Sequence, residues 1–217
     1  MIEDALAPTG VEVASESVLG VSSSESIRTT RAKLIENGKD LGWYVIKQFR
    51  GEDRVEEHLA AYNYLKENGF PVPVDVRRVF GRPDSLAATD LTNNGELELY
   101  SCNTASGEGG SIKREAIRNL EEVKKELIDI AAKAEKLGII ITNDSYFFVY
   151  NPDTMEGHVV IGDLGGAVMS KEVAQRDHGY GPEDTTFSLL KDSYYPNLVR
   201  VFNGGELFPD TDMKPVA

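Results

Sequence analysis

Four charged side chains are placed where they could do chemistry. Lys47 lies in the apolar run "WYVIKQF" and Glu57 follows it in "DRVEEHLAAYNYLKENG". Asp144 sits in "ITNDSY" and Asp163 in "VVIGDLGG". A lysine followed by acids, each beside an apolar stretch, is a set suited to a phosphorylated ligand. The ammonium would meet phosphate oxygens, one carboxylate would hold a divalent cation bridging them, and another would orient an attacking hydroxyl. Each residue alone also has a plainer explanation. Strand lysines are commonly solvated, acids in a first helical turn complement the helix dipole, and Asn-Asp-Ser and Asp-Leu-Gly-Gly are ordinary turns.

The elements that must position these groups follow from periodicity. "VEVASESVLGV" (Val11–Val21) and "IRTTRAKLI" (Ile27–Ile35) alternate as half-buried strands do. "WYVIKQF" (Trp43–Phe49) is a third strand, reached through the turn "ENGKDLG". Asp53–Gly69 predicts a helix with Asp53 as N-cap and Gly69 as C-cap. "PVPVDVRRVFG" and "SLAATDL" predict two more strands, and "NNGELELYSCNTASGEGGS" a Gly-rich connection. A second helix spans "IKREAIRNLEEVKKELIDIAAKAEKLG", with Ile117, Leu120, Val123, Leu127, Ile130, Ala131 and Ala134 near a 3.6 period. "IIITNDSYFFVYN" and "HVVIGDLGG" then give strand runs separated by a turn at Pro152–Gly157, and "TTFSLLKDSYYPNLVRVF" a short helix. Five strands with one helix after the third, then helix-rich structure holding a hairpin, predict two lobes rather than an alternating Rossmann sheet.

Composition narrows the partners. The 217 residues carry a net charge of −13, which argues against nucleic acid and anionic membranes as partners. A site for an anionic nucleotide would need a local cation or metal to offset that field. The single cysteine, Cys102, allows no internal disulfide and suits a reducing compartment. No apolar run is long enough to span a membrane, and "MIEDALAPTG" lacks the features of a secretory signal. His58, His158 and His178 are too scattered for a zinc site.

In order and spacing the chain resembles the protein-kinase-like superfamily from about Val11 to Ser188. "VIKQF" resembles the kinase V-A-I-K strand and "IGDLGG" the D-F-G segment, while "TND" stands where H-R-D belongs. "LGVSSSESI" stands at the glycine-rich loop, with Gly20 as first glycine and Ser22 and Glu25 replacing the others. "GYGPEDTTFSLL" resembles the end of an activation segment, where Glu183 would pair with Arg118 or Arg176.

The resemblance implies an α+β, bilobal kinase-like fold: a five-stranded antiparallel N-lobe with one helix, and a reduced helical C-lobe. It sets residues 16–95 as N-lobe and 96–217 as C-lobe, while the Ala-, Ser-, Glu- and Pro-rich composition of residues 1–15 predicts a poorly ordered start. It implies ATP and Mg²⁺ as cofactors. Lys47 would lie on the phosphates with Glu57, or else Glu56, as its partner. Ser22, Ser23 and Ser24 would donate to phosphate beside Gly20, and Asp163 would hold the metal. Asp144 would be the catalytic base, and Asn143 or Ser145 would stand for the kinase asparagine; alternatively Asp144 is itself a metal ligand. Adenine would meet backbone near Ala88–Asp90 between Leu19, Val45 and Leu91. The implied activity is phosphorylation of protein Ser, Thr or Tyr. Small bacterial effector kinases delivered into host cells, including the HopBF family directed at a host chaperone, share the size and the altered loops. "ENGFPVPVDV" resembles aminoglycoside and choline kinases, which makes a small-molecule kinase one alternative. The altered loops make a pseudokinase binding module another.

Overall fold

The computed structural model describes residues 11–21, 26–101, 117–164, 168–177, 179–196 and 198. It is a mixed α+β structure that divides into two compact units. The first runs to Tyr62 and includes Pro73–Asn94; the second comprises Asn63–Val72 and the chain from Gly95 onward.

The first unit is built on strands β1 (Val11–Val21), β2 (Ser26–Glu36), β3 (Lys39–Phe49), β4 (Val76–Val79) and β5 (Arg82–Thr89), with helix α1 (Glu52–Glu67) after β3. The sheet is antiparallel, in the order β1-β2-β3-β5-β4. Alternation along β2 and β3 turns Ala32, Leu34, Tyr44 and Ile46 to one face, where they cluster with Val79 and Ala87. On the other face Phe49 and Leu86 pack against Val55 of α1, flanked by Leu59 and Val76.

The sheet is curled. β1 and β5 are three strand steps apart, about 14 Å in a flat sheet. Yet Glu16 on β1 accepts hydrogen bonds at 3.0 and 2.9 Å from the Arg82 guanidinium at the start of β5. Arg77 on β4 likewise reaches Glu36 on β2 at 3.2 Å. Thr30 also donates to Glu16, at 2.6 Å. The Arg82 bonds hold the Glu16 carboxyl down at about 2, against the opposing effect of its burial. Tyr44, inside the curl, donates to Asp75 at 2.7 Å. Burial, reinforced by that carboxylate, pushes the Tyr44 hydroxyl up to about 12.

The second unit contains β6 (Glu98–Ser101), α2 (Leu120–Lys136), β7 (Ile139–Ile141), a 3₁₀ turn (Asn143–Ser145), β8 (Tyr146–Asn151), β9 (Glu156–Ile161), β10 (Val168–Ser170), α3 (Lys171–Asp177) and α4 (Thr186–Leu189), which runs into a π-helical turn (Leu190–Tyr194). β6, β8 and β9 form one antiparallel sheet, and β10 pairs with β7. α2 buries Val123, Leu127, Ile130, Ala131 and Ala134 against β7, β9 and α4. Its N-cap residue Asn119 grips the β8–β9 hairpin, donating to Gly157 O at 2.7 Å and accepting from Gly157 N at 3.0 Å. Position 157 must be glycine, because a Cβ there would lie 2.6 Å from Val149 O. Among the described residues no helix is long and apolar enough to cross a membrane.

Several sequence expectations change. α2 starts at Leu120, because Asn119 leaves the helix to bind the hairpin. β6 lies inside the stretch read as a polar connection, and β10 and α3 were not anticipated. α1 turns one stripe of residues inward. Its buried positions are Val55, His58, Tyr62 and Leu65, while Tyr64 is 38% exposed.

Candidate functional site

In the second unit a buried strand delivers the acidic turn. β7 is three buried isoleucines, and the N–H of Ile141 is fixed by the buried hydroxyl of Thr186 at 3.0 Å. The chain then tightens into the 3₁₀ turn Asn143–Ser145, with Ser145 N donating to Thr142 O at 3.1 Å. Tyr146, fully buried, anchors the exit with its ring 5.2 Å from that of Tyr194. Burial, and then Tyr194, raises the Tyr146 hydroxyl far above the phenol range, so it stays protonated.

The carbonyl of Ser145 accepts from Gly162 N at 2.9 Å and from Asp163 N at 3.4 Å. One backbone oxygen thus ties the Thr142–Ser145 loop to the Gly162–Leu164 segment. The structure thereby brings Asn143, Asp144 and Asp163 onto two joined loops. Asp144 is exposed and Asp163 partly so. The Tyr180 hydroxyl lies in their neighbourhood: burial raises it first, then the charges of Asp144 and Asp184. Tyr180 was not singled out from the sequence; its place between Gly179 and Gly181 was the available signal.

Asn143 Oδ1 is buried and has no hydrogen-bond partner among the described residues. An orphaned amide oxygen costs about 1–3 kcal/mol unless something binds it. A hard cation would do so. No group of three His, Cys, Asp or Glu residues suited to a metal occurs among the described residues. Mg²⁺ needs no such cage, since it is commonly held by one or two carboxylates with phosphate oxygens and water completing the octahedron. Asn143 Oδ1 with the Asp163 carboxylate therefore fits Mg²⁺ and is a poor donor set for zinc.

In the first unit Lys47 lies mid-sheet, paired with Thr29 on β2 and Leu86 on β5. Its Nζ stands 5.5 Å from the ring centroid of Phe49. The expected glutamate is not on the inward face of α1. Glu57 points outward, its side chain 52% exposed, and pairs with Arg54 at 2.8 Å. Glu56, the alternative, is more exposed still and pairs with Arg78 on β4. Both corrections have one cause: the inward stripe runs through Val55 and His58, and the glutamates fall outside it. His58 is 4% exposed, its ring 4.4 Å from that of Phe49.

Asp90 is engaged by its own turn and by Arg31. Its N–H donates to Trp43 O at 3.0 Å and so is already engaged. Its carboxylate lies 2.8 Å from Arg31 Nε and accepts from Thr92 N, Thr92 Oγ1 and Asn94 N. Asp90 thus shapes the turn in which Asn93 and Asn94 take left-handed backbone. Gly20 lies in β1, beside a register shift, paired with Thr29. Leu19 is 49% exposed. Ser22, Ser23, Ser24, Glu25, Gly165 and Gly166 lie outside the described residues.

No family model matches the chain, and none of the curated proteins does. Among solved structures, the crystal structure of the Helicobacter pylori proinflammatory kinase CtkA is similar at 14% identity and a TM-score of 0.45. The match covers 76% of this chain and 64% of that one. The chain thus spans less than two thirds of that protein, and a likeness of this order decides nothing about activity.

Proposed function

We propose that the chain is an ATP- and Mg²⁺-dependent phosphotransferase acting on protein hydroxyls. The observation that carries this reading is the joined pair of loops in the second unit. Ser145 O fixes the Asp163 backbone against the turn bearing Asn143 and Asp144, and Asn143 presents a buried, unpartnered oxygen. Asn143 and Asp163 would hold Mg²⁺, which supplies charge neutralisation for the phosphates. Asp144, exposed on the same turn, would accept a hydrogen bond from the acceptor hydroxyl and orient its oxygen, receiving the proton as the new O–P bond forms and the bond from the γ-phosphorus to the bridging oxygen breaks, releasing ADP. The resemblance to the kinase strand assigns Lys47 the role of a phosphate-binding cation, one in which a compact ammonium suffices.

The outward ion pairs of Glu56 and Glu57 favour a second reading, a module that binds nucleotide without transferring from it. Radiolabel separates these readings. Incubation with γ-labelled ATP, Mg²⁺ and a lysate or the protein alone should label protein, whereas α-labelled ATP should not. Labelling should vanish in Asp163→Ala and Lys47→Ala. Equal label in wild type and both variants refutes the kinase reading. Binding of ATP with no transfer of either label selects the module.

A further inference from the structure

Tyr146 is the junction of the two loops in the second unit. Its N–H donates to Asn143 O and closes the 3₁₀ turn. On β8 it pairs with Ile161 of β9, two residues before Asp163. A shift of Tyr146 therefore disturbs Asn143 and Asp163 together. Its ring is held by Tyr194. The two residues are 0% and 2% exposed, and their rings are tilted by 48° at a centroid distance of 5.2 Å, an attractive aromatic geometry. Tyr194 ends the π-helical turn, which packs on the 3₁₀ turn. Tyr195 N closes that turn by donating to Leu190 O, five residues back rather than four. Pro196 stands next: in a regular α-helix its ring would press on the Asp192 carbonyl, and it has no N–H to donate. Single π turns of this kind recur at functional sites.

We infer that Tyr194 is a positioning residue whose ring, through Tyr146, sets the spacing of Asn143 and Asp163 for Mg²⁺. The inference rests on the metal-binding reading above and deepens it. Mg²⁺ demands near-ideal octahedral geometry, so its affinity responds to small changes in the spacing of its ligands. Loosening the ring contact should therefore weaken the Mg²⁺-dependent part of ATP binding and leave the metal-free part as it is.

The test removes the ring and asks which part of binding suffers. ATP is titrated calorimetrically, with Mg²⁺ and with excess chelator, into wild type, Tyr194→Phe, Tyr194→Leu and Val123→Ala. Each variant is held at a temperature where circular dichroism shows it folded. Val123, buried on α2, supplies a core truncation away from the π turn. Should Tyr194→Leu not fold, Tyr194→Met is read in its place, since a flexible side chain refills the space without a flat ring. Tyr194→Leu is expected to lose about tenfold or more in affinity with Mg²⁺, the range for groups that orient metal ligands, and nothing in chelator. Tyr194→Phe keeps the ring and should bind as wild type does, as should Val123→Ala. Unchanged Mg²⁺-dependent affinity in Tyr194→Leu overturns the inference and leaves the metal reading standing. An equal loss in chelator, or the same loss in Val123→Ala, shows a merely structural ring and overturns it too. A Tyr194→Phe that loses as much as Tyr194→Leu overturns the role given to the ring. ATP binding by wild type that ignores Mg²⁺ refutes the metal reading itself, and the inference with it.

Discussion

The two units use their carboxylates in opposite ways. In the first, the acids singled out from the sequence are engaged by arginine: Glu57 by Arg54, Glu56 by Arg78 and Asp90 by Arg31. Glu16, Asp75 and Glu36 are engaged as well, by Arg82 and Arg77, and these pairs close the curl of the sheet. In the second unit the candidate oxygens lie on loops whose shape is fixed by backbone bonds to Ser145 O. The side chain of Asn143 is left with an unmatched acceptor. The acids singled out in the first unit serve ion pairs, while those singled out in the second, Asp144 and Asp163, lie on the joined loops; Glu126 and Glu135 of the same unit serve structure. A carboxylate pattern in sequence does not separate these uses; the positions of the arginines do.

That contrast can be broken in a definite order. The largest effect is expected at the second unit: Asp163→Ala should lower phosphoryl transfer by more than about a hundredfold, beyond what loss of an outer-shell metal contact costs, while the denaturation midpoint barely moves. Asn143→Leu should act in the same direction on Mg²⁺ dependence and leave stability unchanged or improved, because it removes an unsatisfied buried oxygen. A destabilised Asn143→Leu would mean that the oxygen has a structural partner.

Next comes Asp90→Ala, which strands Arg31 and undoes the turn. It should cost about 3–5 kcal/mol in urea unfolding, the range for breaking a buried ion pair. Glu16 should show as a pH effect. Its folded pKa is depressed, from 4.5 to about 2, so its contribution is present above 4.5 and is lost as pH falls toward 2. Thermal unfolding of Glu16→Gln should therefore be less stable than wild type near neutrality, and the two curves should converge through that window. The smallest effect is expected at Glu57→Gln: an exposed i,i+3 pair is worth at most about 0.5 kcal/mol, and transfer activity should hold. A large activity loss there would restore Glu57 as the partner of Lys47.

Much of the architecture was legible because periodicity reports burial. The alternation in β1 to β3 and the 3.6-residue stripe of α2 follow from which residues must leave water. The sequence leaves the phase of α1 open, because apolar residues lie on more than one side of it, and tertiary packing on Phe49 selects the face through Val55 and His58. β6 was missed because a four-residue strand in a polar, Gly-rich stretch gains its stability from pairing with β8, a contact distant in sequence. At the site, the Asn143–Asp144–Asp163 grouping could be named from order alone. The bond through Ser145 O that joins the two loops could not, since it depends on main-chain geometry that any residue types could supply. Nor does anything local signal that Arg31, on another strand, engages the Asp90 carboxylate.

The most direct measurement of the central claim needs no substrate protein. ATP is titrated into wild type and Asp163→Ala, each with Mg²⁺ and with excess chelator. Wild type is expected to bind ATP tightly only with Mg²⁺, and Asp163→Ala weakly and independently of Mg²⁺. Binding by wild type that ignores Mg²⁺, or an Asp163→Ala variant that binds MgATP like wild type, would contradict that claim.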